Sequence, residues 1–145
     1  MNENTEILEY IYKAANIGKT SSENLLKELK EKDNKIKKII EEINKEYENF
    51  EKECKKQLKK NKKEPKEKGI MLDIMNKMGI KKEVKNDNSD SNIAGVLIEG
   101  LTMGSIEIEK RLSSFKKEIN KDSKKIGEDF KNFSNNYIEK LKKYL

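Results

Sequence analysis

Ile93-Ala94-Gly95-Val96-Leu97-Ile98-Glu99-Gly100-Leu101-Thr102-Met103-Gly104-Ser105-Ile106-Glu107-Ile108 is the stretch that decides the fold. Ala94, Leu97, Leu101, Gly104, Ile108, Leu112, Phe115 and Ile119 continue through and beyond it at spacings of three and four. That period places them on one stripe of an α-helix, and the helix is expected to reach about Ile119. Gly100 and Gly104 lie inside it, where each costs roughly 1 kcal/mol relative to Ala. Their retention predicts a second helix brought close.

The same period runs on either side. Leu8, Ile11, Ala15, Gly18, Ser22, Leu25 and Leu29 predict a first helix from about Thr5 to Lys30, capped by Asn4 or Thr5. Ile36, Ile40, Ile43, Tyr47, Phe50, Cys54 and Leu58 predict a second from Asp33 to Lys60, with Asp33 as its cap. Leu29 and Ile36 lie seven apart, which also permits one continuous helix. A tight turn at 30–33 is preferred, because so long a helix is rare in a domain of this size. Ile126, Phe130, Phe133, Tyr137, Leu141 and Tyr144 mark a last helix ending at Leu145, after a turn at 120–123 with Asp122 or Ser123 as cap.

Between the second and third long helices stands the chain's single proline, Pro65, in a lysine-rich connection at 60–68. Ile70, Met71, Ile74, Met75 and Met78 follow in a short amphipathic segment over 67–84. The polar loop at 86–92 offers caps for the next helix.

The expected fold is all-α, one domain over 1–145: an antiparallel four-helix bundle with a short extra helix before the third long one. Small residues mark one stripe: Ala15, Gly18 and Ser22 on the first helix, Gly100 and Gly104 on the third. They predict that these two helices are close neighbours. Tyr47, Phe50, Phe130 and Phe133 are expected to fill the opposite side. Cys54 lies on a seam and reads as a small buried hydrophobe.

Composition excludes several functions. Hydrophobic residues make up 33% and charged residues 41%, the balance of thin-seamed amphipathic helices. The net charge of +6 is local, since Lys55, Lys56, Lys59, Lys60, Lys62, Lys63, Lys66 and Lys68 stand against only Glu64 and Glu67. This cluster is a candidate basic patch for an acidic partner, nucleic acid or anionic lipid. Arg111 is the single arginine, which argues against a sequence-specific nucleic-acid reader. Any nucleic-acid binding would be non-specific.

There is no histidine, which removes Ser-His-Asp and Cys-His catalysis and imidazole metal sites. One cysteine makes no intrachain disulfide and fits a reducing, cytoplasmic setting. The apolar run at 93–108 is too short and too charged to span about 30 Å of hydrocarbon. No catalytic residue, metal site or cofactor is predicted. Asp87, Asn88 and Asp90 read as a solvated capping loop, Glu99 as a helix flank in water, and Glu107 with Arg111 as a surface ion pair. A carboxylate-only metal site is the alternative from another class.

Three segments carry a resemblance: Glu6-Ile7-Leu8-Glu9-Tyr10-Ile11-Tyr12-Lys13-Ala14-Ala15-Asn16-Ile17-Gly18, then Ser91 to Gly104, then Tyr137 to Leu145. Together they resemble a family of small uncharacterised clostridial and Firmicute helical-bundle proteins, themselves similar to ferritin-like bundles. That resemblance implies a ferritin-like architecture. Its iron ligands would be Glu and Glu-x-x-His, and a chain without histidine carries none of them over. The function expected is a non-enzymatic interaction or structural role, through self-association or a protein partner.

Overall fold

The structure is a computed structural model, and it describes residues 3–61, 87–115 and 119–145. Four long helices form it: α1 over Glu3–Glu28, α2 over Lys37–Lys60, α3 over Asp90–Ser114 and α4 over Lys121–Leu141. A 3₁₀ turn at Lys142–Tyr144 follows α4. The described residues contain no strand. The amphipathic segment predicted at 67–84 and the prolyl connection lie outside the described residues.

The seam of α1 is buried as its spacing predicts, with Leu8, Ile11, Ala15, Ser22 and Leu25 all in the interior. Ile7, Tyr12 and Ile17 are buried as well, so the stripe is wider than one seam. A helix with several neighbours needs such a face. Asn4 and Thr5 are not caps, because α1 is already helical at Glu3. Asn4 instead accepts a hydrogen bond at Oδ1 from the Asn120 backbone N–H, at 2.7 Å.

The first two helices are separate, with a break after Glu28. Leu29 and Ile36, both fully buried, tuck the joint onto the core. Asp33 is exposed and caps nothing; Ile36 occupies the N-cap without a side-chain bond. The reason lies across the bundle. Asn34 Nδ2 donates to the Asn88 carbonyl at 2.9 Å and to Asp90 Oδ1 at 2.8 Å, and the Lys35 N–H donates to Asp90 Oδ2. The joint is clasped to the start of α3, and α2 begins only where that clasp ends.

At the other helix starts, Ser89 Oγ accepts from the Asn92 N–H at 3.2 Å, as the polar loop predicts. For α4 the cap is Asn120, not Asp122 or Ser123; its Oδ1 accepts from the Ser123 N–H at 2.8 Å, and Ser123 is buried inside the helix. At its far end α3 stops at Ser114, short of the expected Ile119.

The aromatics gather together as expected, but not opposite the small residues: Tyr47 lies against Gly18 and Phe130 against Gly104, because the rings take up the volume that the glycines leave. Phe50 meets Phe130 edge-on at 5.2 Å, Tyr47 meets Phe133 at 5.0 Å, and Phe133 meets Tyr137 at 5.3 Å. Such tilted pairs contribute roughly 0.5–1.5 kcal/mol each beyond the area they bury. Cys54 is fully buried, and burial pushes its thiol well above the ordinary range. No described helix is long and apolar enough to cross a membrane.

Candidate functional site: a groove between α1 and α3

The small residues of α1 and α3 do gather on one feature, but it is a hollow and not a tight seam. Gly18 and Ser22 from α1 and Gly100 and Gly104 from α3 line a groove of about 750 Å³. Ala15 turns away into the core and is fully buried. The close approach at Gly18 is made with α2: a Cβ there would overlap the Tyr47 ring. A Cβ at Gly104 would meet only the Phe130 ring, at 3.6 and 3.8 Å, and nothing of α1. The physical reason is that Tyr47 and Phe130 rise from below into the space that the missing side chains leave. They prop the walls and form the floor.

The walls are mainly apolar, with Ala14 and Ile17 on α1 and Val96, Leu97 and Leu101 on α3. Met103 and Ile106 stand at its lip and are 58% and 51% exposed. Helix α3 carries apolar residues on more than one face, so burying Ile93, Ala94, Leu101 and Ile108 leaves Met103 and Ile106 uncovered. The single stripe expected from its spacing misses these two.

Polar groups sit at the two ends. At one end Arg111 lies over the Tyr10 ring, 4.6 Å from its centre, and its NH1 pairs with Glu107 at 3.4 Å. Its Nε is buried and has no hydrogen-bond partner among the described residues. The Tyr10 phenol is pushed up to about 12, first by burial and then by the Glu107 carboxylate, with Arg111 pulling the other way. Tyr10 is therefore a neutral phenol at any ordinary pH. Glu6, Glu9 and Lys13 complete this charged end.

At the other end are two serines. Ser22 Oγ donates to the Gly18 carbonyl at 2.8 Å and accepts from Asn44 Nδ2 at 2.7 Å, tying α1 to α2. Ser21 Oγ is buried and has no partner among the described residues. Sequence reading missed Tyr10 and Ser21, which belong to no seam, and it set Tyr47, a seam residue of α2, on the side away from the small residues; only the crossing of helices makes them neighbours.

The other candidates fall elsewhere. Lys55, Lys56, Lys59 and Lys60 are exposed on α2, while Lys62, Lys63, Lys66 and Lys68 lie outside the described residues. Glu99 is exposed on the flank of α3. Asp87 accepts the Ser89 N–H at 3.0 Å, which holds its carboxyl below the usual range, and Asp90 is spent on the clasp. Among the described residues no three Cys, Asp or Glu side chains come together to hold a metal. No family model, curated protein or solved structure matches this chain.

Proposed function

We propose that this chain is a non-enzymatic cytoplasmic binding protein that holds an apolar ligand between α1 and α3. The observation that carries the reading is the groove itself. Its volume of about 750 Å³ falls in the range typical of small-molecule sites, and its charged groups gather at one end. The test is uptake of an uncharged naphthyl fluorophore. One saturable equivalent is expected, abolished by Gly104→Leu with helix content retained. Absent or non-saturable uptake, or uptake indifferent to Gly104→Leu, rejects the reading.

A second reading, self-association, is favoured by Met103 and Ile106 at the lip. It predicts a dimer mass in sedimentation that Ile106→Lys reduces to a monomer.

The architectural part of the proposal is an antiparallel, ferritin-like bundle. Support comes from how contacts drift along the helices. Ser22 meets Asn44 while the earlier Lys19 meets the later Glu51 at 4.0 Å. Leu112 lies against Gly127, while the earlier Glu109 meets the later Lys131 at 3.2 Å. The starts of α1 and α4 meet at Asn4 and Asn120, and those of α2 and α3 at Asn34 and Asp90. Helices α2 and α3 thus start at the same end, an order that bundles of the ferritin type share.

A further inference from the structure

We infer that two copies of this chain pair through α3, antiparallel about a two-fold axis that crosses the helix between Gly104 and Ser105. The inference rests on the self-association reading above, and it names the face, the direction and the register.

Glu99, Met103, Ile106 and Lys110 follow one another at spacings of four, three and four residues, so they share one stripe of α3. All four are exposed, on the side of the helix away from buried Leu101, Ser105 and Ile108. Apart from Leu145, Met103 and Ile106 are the only large hydrophobics exposed among the described residues.

The charges on α3 single out the same stripe. Asp90 is spent on the clasp, Glu107 pairs with Arg111, and Glu109 meets Lys131. The remaining two charged residues of the helix, Glu99 and Lys110, make no ion pair among the described residues. They stand about 16 Å apart along the axis, too far to meet within one helix.

Glu99 and Lys110 share their midpoint with Met103 and Ile106, between Gly104 and Ser105. Turning a second α3 end for end about that point sets Met103 against Ile106 and Glu99 against Lys110, each twice. The apolar side chains cover each other at the centre, with an opposite-charge pair on either side. Gly95 falls opposite Ser114, and a Cβ at Gly95 would meet nothing within 4 Å, so no bulk there holds the helices apart. Such an interface is isologous, one patch meeting its own copy. A parallel pairing would set Glu99 on Glu99 and Lys110 on Lys110. A slip of four residues would set Lys110 against Met103 or Glu99 against Ile106. Like charges and desolvated charges penalise both alternatives, which fixes the register.

The experiment measures the dimer dissociation constant of the full chain by sedimentation equilibrium. Glu99→Lys and Lys110→Glu each turn two attractive pairs into two repulsive ones, and each should weaken the dimer about tenfold. The chain carrying both changes again sets opposite charges across the axis and should recover the wild-type constant. Both positions are exposed and unpaired within the chain, so the variants should keep the wild-type helix content. A dimer indifferent to either single change, or one that the paired change fails to restore, overturns the inference while self-association through another face stands. A monomer at every concentration, as when the stripe serves a different protein, overturns the inference and the self-association reading together.

Discussion

Replacing Gly18 by alanine tests how the groove is propped. Two effects oppose each other. In the middle of α1 an alanine gains roughly 1 kcal/mol of helix propensity over glycine. Its Cβ, however, would overlap the Tyr47 ring. That ring is held edge-on against Phe133 at 5.0 Å and has little freedom to retreat. Overpacking of this kind costs typically 1–3 kcal/mol, so the net effect is a loss of about 1 kcal/mol. Gly95→Ala is the internal standard, because a Cβ there meets nothing within 4 Å and only the propensity gain remains. The two variants should differ by about 2 kcal/mol in urea unfolding followed by circular dichroism. In thermal terms, the Gly18→Ala loss corresponds to a fall in Tm of about 4 °C. Tyr47→Leu should rescue Gly18→Ala non-additively, since it removes the obstructing ring. If Gly18→Ala stabilises as much as Gly95→Ala, Tyr47 does not occupy that space and the account of the groove is wrong.

Two further predictions concern titration and reactivity. Tyr10 is raised to about 12 by burial and Glu107, and Tyr47 is raised further by burial and Tyr10, whereas both phenols titrate near about 10 in an unfolded chain. The unfolded chain therefore releases these protons first, so this contribution is whole below about pH 10 and is lost as pH rises through about 12. Urea midpoints should fall between pH 9 and pH 11.5, and less steeply in the Tyr10→Phe/Tyr47→Phe chain; parallel curves would refute the assignment. Cys54, buried with its thiol raised by desolvation and Glu53, should resist a disulfide-exchange reagent in the native state and react fully in denaturant. Prompt reaction of the folded protein would contradict its burial.

Spacing alone identified the four long helices, and it placed Tyr47, Phe50, Phe130 and Phe133 together. Those features depend on local period and on bulk, which a linear sequence carries. What depends on partners far along the chain was illegible. Asp33 is a good cap by type, yet α2 starts at Lys37 because Asn34 and Lys35 are drawn to Asp90. Asn120 caps α4 while also reaching Asn4. The small residues were visible, but glycine signals only missing volume. Whether a neighbouring backbone, a tyrosine ring or a cavity takes that volume depends on the crossing of helices. Tyr10 and Arg111 were separately visible and not visible as a stack, because no periodicity links residues of different helices.

The clasp between Asn34 and Asp90 bears on the order of assembly. It joins positions more than fifty residues apart, and the bond from Asn120 to Asn4 spans more than a hundred. Closing such spans is slow, whereas each hairpin of neighbouring helices needs only its own short joint. The hairpins should consequently mature early and these polar bolts slide home last. Interactions made after the rate-limiting step govern escape from the native state and not arrival in it. Three side chains at the ends of the rods, those of Asn4, Asn34 and Asp90, thus set the protein's lifetime, while its oily seams set how quickly it forms.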